Sequence, residues 1–128
     1  MLSERDKTRL ASVDYRLVRL VEEVSKNFPL MVICGHRGEA EQNAAFEAKK
    51  TKVRWPNSKH NFMPSKAVDL APTPLDWNNK AAFVALATLM INEAKKQDVL
   101  IRWGGDWDLD GDWKDEKFLD MPHFELME

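Results

Sequence analysis

The stretch Ala67-Val-Asp-Leu-Ala71 predicts a strand that carries one carboxylate within an otherwise apolar sequence, and Pro72 and Pro74 follow it as end signals. Three further apolar stretches, rich in branched or aromatic side chains, predict the remaining strands: Leu30-Met-Val-Ile-Cys34, Val99-Leu-Ile-Arg-Trp103 and His123-Phe-Glu-Leu126. Strands this short bury their apolar side chains only in a small sheet that is covered by other elements.

The segment before the first of these strands predicts one long amphipathic helix. Ser3 is an N-cap signal, and acidic residues follow it in the first turn. From Leu10 to Val24 the apolar residues recur at steps of three and four, which is the spacing of one helix face. The sequence Asn27-Phe-Pro29 ends this helix, because proline disfavours helical backbone at the residue before it.

Two more helices and a long loop complete the predicted elements. One helix covers Glu39–Lys50, and another runs from a cap at Asp76 or Asn78 to about Gln97. Between them, the polar stretch Thr51–Ser65 predicts a loop, and loops of this length in a small domain are usually functional or mobile. The order of elements predicts an α+β fold, with a small, mainly antiparallel sheet flanked by helices.

The composition is typical of one soluble domain spanning residues 1–128. Hydrophobic residues make up 44% and charged residues 31%, and 19 basic against 21 acidic residues give a net charge of -2, which does not favour nucleic acid as a partner. The first ten residues are too polar for a signal peptide, and Phe83–Ile91 is far shorter than the ~20 residues of a membrane span. A monomer is expected. Cys34 and Trp103 are predicted to be core residues, and a single cysteine forms no internal disulfide.

Two histidines and two aspartates are candidates for a metal site. His60 lies in the predicted loop, Asp69 within a predicted strand, and His123 at the start of another. Two imidazoles and a carboxylate suit a catalytic zinc site that keeps one open position, and Asp120 could take a proton from water there. The alternative is a surface histidine at position 60 and a histidine at a strand edge at position 123.

An acidic stretch precedes the last strand and is a second candidate for a cation site. Its carboxylates alternate before and after Gly111, like the opening of a calcium loop: Asp106, Asp108, Asp110 and Asp112. A full EF-hand loop would have glutamate where Lys117 stands, so the pattern is not a standard EF-hand. Calcium binding and a plain solvated turn are both consistent with it.

Arg37, in the sequence Gly35-His-Arg-Gly38, follows a predicted buried strand. An arginine in this position could bind a carboxylate or stabilise a developing oxyanion. Its alternative is a surface salt bridge to Glu39 or Glu41.

Four ordered segments between Leu30 and Leu126 resemble the phage L-alanyl-D-glutamate peptidases: Ser58-Lys-His60, Ala67-Val-Asp69-Leu-Ala-Pro72, Trp103-Gly-Gly-Asp-Trp107 with Gly111-Asp112, and Asp120-Met-Pro-His123-Phe-Glu-Leu126. These small endolysins are related to the zinc D-alanyl-D-alanine carboxypeptidases and share a fold with the hedgehog signalling domain. The resemblance implies that fold here, with zinc at the face of the sheet, in a single zinc peptidase domain without a separate cell-wall-binding domain.

The same resemblance implies roles for individual residues. His60, Asp69 and His123 would ligate Zn²⁺, and Asp120 would be the general base. Three more residues are expected to act on the substrate: Arg37 in catalysis, and Gln42 and Ser58 in binding. The chain departs from the family in having eight residues, Asn61 to Val68, between the first histidine and the aspartate, where six are usual.

The implied function is that of a zinc metallopeptidase, a phage or prophage endolysin that hydrolyses the L-Ala–D-Glu bond of bacterial peptidoglycan. It would accumulate in the cytoplasm of the infected or lysogenic host and reach the cell wall once the membrane is permeabilised. Similarity to a calcium-activated endolysin implies Ca²⁺ as a regulator. Two alternatives remain: a D,D-carboxypeptidase acting on D-Ala-D-Ala, in which glutamate is expected at position 120, and a non-enzymatic, metal-stabilised binding module.

Overall fold

The computed structural model describes residues 2–105 and 120–127. Within these ranges the fold is α+β, as the sequence predicts, and consists of four helices, a short 3₁₀ helix at Lys59–Asn61 and four strands. The helices and strands, in chain order, are α1 Glu4–Leu10, α2 Tyr15–Ser25, β1 Leu30–Cys34, α3 Glu39–Glu47, β2 Ala67–Pro72, α4 Lys80–Lys96, β3 Ile101–Trp103 and β4 His123–Leu126. None of the helices in the described ranges is long and apolar enough to cross a membrane.

The four strands form one antiparallel sheet in the order β1-β2-β4-β3. In its register Asp69 of β2 lies opposite His123 of β4, and Cys34 of β1 lies opposite Asp69 on the other side. Residues directly opposite each other in neighbouring strands project from the same face. The strand pairing alone therefore brings two of the predicted metal ligands together.

The two faces of the sheet have different roles. Val68 and Leu70 of β2 belong to the hydrophobic core, whereas Asp69, between them, projects from the opposite face. Helices α2 and α4 contact each other, and α4 packs on β2 and β3. These two helices and strand β4 contribute several of the large buried side chains of the core: Leu17, Leu20, Leu86, Met90, Phe124 and Leu126. Helices α2 and α4 lie on the core side of the sheet, and the site lies on the opposite face.

The N-terminal segment forms two helices where the sequence predicts one. The chain turns at Ala11–Asp14, where Val13 forms a parallel bridge with Ser65 and the Asp14 N–H donates to the Ser65 carbonyl at 2.9 Å. Asp14 then caps α2, because its carboxylate accepts from the Arg16 N–H at 2.9 Å. Leu10 and Val13 are buried, and so are the residues of α2 that continue the predicted apolar face: Leu17, Leu20, Val21 and Val24. The periodicity therefore predicted the correct buried face but did not reveal the break.

Other element ends differ from the prediction by a few residues. Helix α3 ends at Glu47 rather than Lys50, and β3 begins at Ile101. The cap of α4 is Asn79, whose side chain accepts from the Ala82 N–H at 3.2 Å, rather than Asp76 or Asn78. Strands β1 and β4 have the predicted ends, and β2 extends one residue further, to Pro72.

Candidate metal centre and active-site cleft

His60, Asp69 and His123 converge on one point at the uncovered face of the sheet. The Asp69 Oδ1 atom lies 3.1 Å from His60 Nε2 and 3.2 Å from His123 Nδ1, and these two ring nitrogens are 3.2 Å apart. All three side chains are buried. The alternative of a surface histidine at position 60 is wrong, since His60 is only 2% exposed.

His60 reaches this point because a short 3₁₀ helix turns the chain toward the sheet. The Ser58 hydroxyl accepts from the His60 N–H at 3.2 Å, and the Asn61 side chain accepts from the Ser58 N–H at 3.0 Å. The His60 carbonyl accepts from the Arg37 N–H at 2.8 Å. These contacts bring His60 next to Asp69, although the connection between the two residues is two residues longer than is usual in the family that the sequence resembles.

In each histidine, the ring nitrogen that points away from the cluster (the outer nitrogen) lies next to a hydrogen-bond acceptor. A proton on that nitrogen leaves a lone pair on the nitrogen that faces the cluster (the inner nitrogen). His60 Nδ1 lies 2.7 Å from the Gly35 carbonyl, which can only accept, so this nitrogen carries the proton. His123 Nε2 lies 2.8 Å from Glu125 Oε1. Two lone pairs and a carboxylate oxygen then face one another about 3 Å apart. These three electron-rich atoms repel one another unless a cation or a proton lies between them.

The pKa directions agree with a site that attracts a cation. Burial raises the pKa of Asp69, but the adjacent His60 and His123 outweigh this and hold it well below its usual range. Burial lowers the pKa of His123, but the carboxylates of Asp69 and Glu125 outweigh this and raise it to about 9. Asp69 is therefore ionised, and without a bound cation a proton on His123 stabilises the cluster.

The donor set fits zinc. Two imidazole nitrogens and one carboxylate oxygen are ligands that Zn²⁺ accepts, and three protein ligands leave one position open, as in catalytic zinc sites. Calcium and magnesium prefer ligand sets made of oxygen alone. Among the described residues, these three form the cluster of His, Cys, Asp and Glu whose ligand atoms lie within 4.8 Å of one another.

Asp120 lies at the edge of this cluster. Its Oδ2 atom is 4.0 Å from His123 Nδ1, and its backbone N–H donates to the Gly104 carbonyl at 2.9 Å. A Cβ at position 104 would overlap the Asp120 carbonyl, so only glycine allows this close approach. Burial and the charge of Asp69 raise the pKa of Asp120 to about 6. A partly exposed carboxylate with a pKa near neutrality suits general acid–base chemistry.

The raised pKa predicts how Asp120 affects the stability of the protein without metal. The folded state favours the protonated form of Asp120. The contribution of this side chain to the free energy of unfolding is therefore fully present below pH 3.8, and it is lost as the pH rises through about 6. Asp120→Asn is therefore expected to raise the Tm of chelator-treated protein at pH 7 and to leave it nearly unchanged at pH 3.5. Thermal unfolding at the two pH values measures this.

Asp14 provides a control of opposite sign. Its hydrogen bond and ion pair with Arg16 lower its pKa, so Asp14→Asn should lower the Tm at pH 7 more than at pH 3.5. If Asp120→Asn also lowered the Tm at pH 7, then the carboxylate would not be destabilised by its surroundings.

Arg37 lies on the cleft wall and contacts the cluster directly. Its Nη2 atom is 3.4 Å from Asp69 Oδ2, so its ion-pair partner is Asp69 rather than Glu39 or Glu41. Its Nη1 atom donates to Gln42 Oε1 at 3.1 Å. Gln42 is fully buried, and its amide donates to the Val53 carbonyl at 2.7 Å. Gln42 thus lies behind Arg37 and orients it.

Among the described residues, Glu125 and Arg102 support the site although the sequence analysis does not predict them. Glu125 holds His123, and Arg102 Nη2 in turn lies 3.0 Å from Glu125 Oε2. Burial raises the pKa of Glu125, but its contacts with His123 and Arg102 outweigh this and lower it, so the carboxylate is ionised. The alternation of β4 contains the signal that was missed, because residues 123 and 125 of one strand share a face.

The cleft around the cluster encloses about 1200 Å³. Arg37, Ser58, Asp120 and the three clustered side chains line it, together with Cys34. The prediction of a core position for Cys34 is wrong, because a register shift in β1 between Val32 and Cys34 leaves the thiol half-buried in the cleft wall. Trp103 is buried, as predicted. The proposed calcium ligands Asp106, Asp108, Asp110 and Asp112 lie outside the described residues.

Comparison with known proteins shows the family of the chain and a similar fold. The family model for phage L-alanyl-D-glutamate peptidase matches residues 1–127. The L-alanyl-D-glutamate peptidase of Escherichia phage T5 is 29% identical over 113 residues, which cover 84% of this chain and 82% of that protein. The fold is similar to the crystal structure of ChiX, the L-Ala D-Glu endopeptidase of Serratia marcescens, with a TM-score of 0.75, 23% identity and coverage of 98% of this chain and 90% of that one. Because the family model spans nearly the whole sequence, this chain belongs to the phage L-alanyl-D-glutamate peptidase family.

Proposed function

We propose that this protein is a zinc-dependent peptidase that hydrolyses the L-Ala–D-Glu bond in the stem peptide of bacterial peptidoglycan, in the role of a phage or prophage endolysin. The observation that carries the proposal is the buried convergence of His60, Asp69 and His123 beside Asp120, at the base of an open cleft. The family of the chain and the names of its relatives support the choice of bond.

His60 Nε2, Asp69 Oδ1 and His123 Nδ1 would hold the zinc ion. When bound, zinc lowers the pKa of a coordinated water toward ~7 and polarises the carbonyl of the scissile bond. Gly35 and Glu125 keep the outer nitrogens of the two histidines occupied, so the inner nitrogens remain oriented toward the ion.

Asp120 would act as general base and then as general acid. Its carboxylate takes the proton of the attacking water and later delivers it to the nitrogen of the departing D-Glu residue. Aspartate is shorter than glutamate, so the backbone must come close to the cluster. The contact between Gly104 and Asp120 provides this approach.

Arg37 would stabilise negative charge that develops on the carbonyl oxygen of the substrate. Its guanidinium lines the cleft, and the hydrogen bond to Gln42 and the ion pair with Asp69 hold it in place. A donor that is oriented before the substrate arrives stabilises the transition state without the cost of reorganising. Ser58 lines the cleft but already accepts from the His60 N–H, so we assign it to orienting that loop as well as to substrate contact.

The test is digestion of purified peptidoglycan, followed by mass analysis of the products. The proposal predicts stem peptides with a new N-terminal D-Glu, and no free D-Ala. Release of single D-Ala residues would instead identify a D,D-carboxypeptidase, and intact peptidoglycan would indicate a binding module. Chelator-treated protein is the matched control for zinc dependence.

Glu125 offers a separate test of the metal centre. Glu125→Ala takes away the carboxylate that lies 2.8 Å from His123 Nε2, and loss of such a partner typically costs about 10–100-fold in metal affinity. Glu125→Ala is therefore expected to weaken zinc binding by that factor, as measured by competition with a chromophoric chelator. Glu125→Gln should lose less, since the amide oxygen can still accept from the ring N–H.

The control for this series is Glu23→Ala, which removes an exposed carboxylate whose partner is Lys26. It should bind zinc as the wild type does. Wild-type zinc affinity in Glu125→Ala would show that the contact between Glu125 and His123 does not support the site.

A further inference from the structure

Trp77 is an exposed aromatic residue in the wall of the cleft that contains His60, Asp69 and His123. It lies in the loop between β2 and α4 and is 55% exposed. Its ring stacks on Phe83, with the ring centroids 5.6 Å apart and the planes inclined by 16°. Phe83, on the first turn of α4, is 1% exposed. One face of the indole is therefore backed by a fixed ring, and much of the rest is open.

The turn that carries Trp77 is itself held by hydrogen bonds. The Asp76 side chain accepts from the Asn78 N–H at 3.0 Å, and the Asp76 carbonyl accepts from the Asn79 N–H at 3.0 Å. Asn79 in turn caps α4. The ring is thus placed before any ligand arrives, which reduces the entropy that is lost on binding.

The chemistry of this surface favours a sugar. The face of an aromatic ring carries negative charge density, which attracts the C–H groups along one side of a pyranose. In peptidoglycan the L-Ala residue is joined by an amide to the lactyl group of N-acetylmuramic acid. Only one residue, about 3.5 Å long, therefore separates the sugar substituent from the bond proposed to be cut.

The size of the cleft agrees with a ligand larger than a dipeptide. Its volume of about 1200 Å³ exceeds the ~300–1,000 Å³ typical of sites for small molecules. We propose that Trp77 forms a stacking subsite for the N-acetylmuramic acid ring of the substrate. This inference rests on the proposed function, because it assigns the sugar end of that same substrate.

The experiment compares two substrates of equal peptide sequence. One is the disaccharide-linked muropeptide, and the other is the free stem peptide without sugar. Loss of one stacking contact corresponds to about two- to tenfold in affinity. Trp77→Ala is therefore expected to lose about two- to tenfold more kcat/KM on the muropeptide than on the free peptide, mainly through KM. Trp77→Phe, which keeps an aromatic face over Phe83, should lose less.

Trp55 provides the matched control. It is 40% exposed and is not among the described residues that line the cleft. Trp55→Ala should therefore have the wild-type kcat/KM on both substrates. In a second measurement the disaccharide alone is titrated into the protein, and the indole N–H resonance that disappears in Trp77→Phe is followed. This resonance should shift as the disaccharide is added, and the shift should reach a plateau when the site is saturated.

The outcomes separate the two proposals. If the wild type cleaves the L-Ala–D-Glu bond and Trp77→Ala affects both substrates equally, with no shift on titration, then the sugar subsite is refuted and the proposed function stands. If the wild type cleaves neither substrate, then the proposed function fails first.

Discussion

Asp120→Asn is expected to lower kcat on peptidoglycan by about 10²–10⁴-fold, the usual contribution of a general acid–base group, while zinc content stays at the wild-type level. The carboxylate lies 4.0 Å from His123 Nδ1, beside the cluster rather than within it. Asparagine cannot take the proton of the attacking water. Because the backbone of Asp120, not its side chain, bonds to Gly104, the local fold should persist.

The measurement pairs turnover on solubilised peptidoglycan with zinc analysis of the same sample. Asp98→Asn is the control substitution, since Asp98 is exposed at the end of α4 with a φ of 58°, a conformation that asparagine tolerates well. Wild-type turnover in Asp120→Asn would refute the assignment of the base. Loss of zinc together with turnover would instead make Asp120 a ligand.

Asp69→Ala and His123→Ala are expected to lose zinc and activity together, with lytic rate falling to the background of chelator-treated wild type. Each substitution removes one of three donor atoms that lie about 3 Å apart. Asp69 is also the only carboxylate in this set, so its loss leaves two imidazoles without a negative charge to balance the ion. Zinc per protein and lytic rate are measured on each purified variant.

His36→Ala is the control for loss of an imidazole as such, because His36 lies outside the cluster. It is expected to retain one zinc per protein. A variant lacking Asp69 or His123 that kept both stoichiometric zinc and activity would place the metal elsewhere.

The parts of the site that the sequence could predict are those on regular strands. Asp69 and His123 lie on segments that predict short strands, and the large apolar residues next to them in sequence define the core face. Their convergence on the opposite face therefore requires only the pairing of β2 with β4. The position of His60 depends on hydrogen bonds of Ser58 and Asn61 inside a loop. Composition and periodicity do not encode such contacts: residue type makes His60 a candidate ligand, and only the resemblance between motifs implies that it is one.

Other features depend on tertiary contacts that leave no periodic signal. The break between α1 and α2 arises because Ser65, which is distant in sequence, pairs with the chain at Val13 and Asp14. Likewise Cys34 lies in the cleft because of a register shift in β1. The resemblance implies that Gln42 binds substrate, whereas in the structure it is buried and its side-chain oxygen accepts from Arg37.

The position of Glu125 in the sequence indicates a contact with His123 that the sequence analysis does not include. A residue two positions after a ligand on a strand shares its face, and a carboxylate there can reach the outer nitrogen of a ligating histidine.

The most direct test of the central claim is zinc titration of chelator-treated wild-type protein, with release of N-terminal D-Glu from peptidoglycan as the readout. The account predicts no release without metal and a linear rise that ends at one zinc per protein, with no recovery in Asp69→Ala at the same zinc concentrations. Full activity of the chelated protein, or equal recovery in Asp69→Ala, would contradict a zinc centre built from His60, Asp69 and His123.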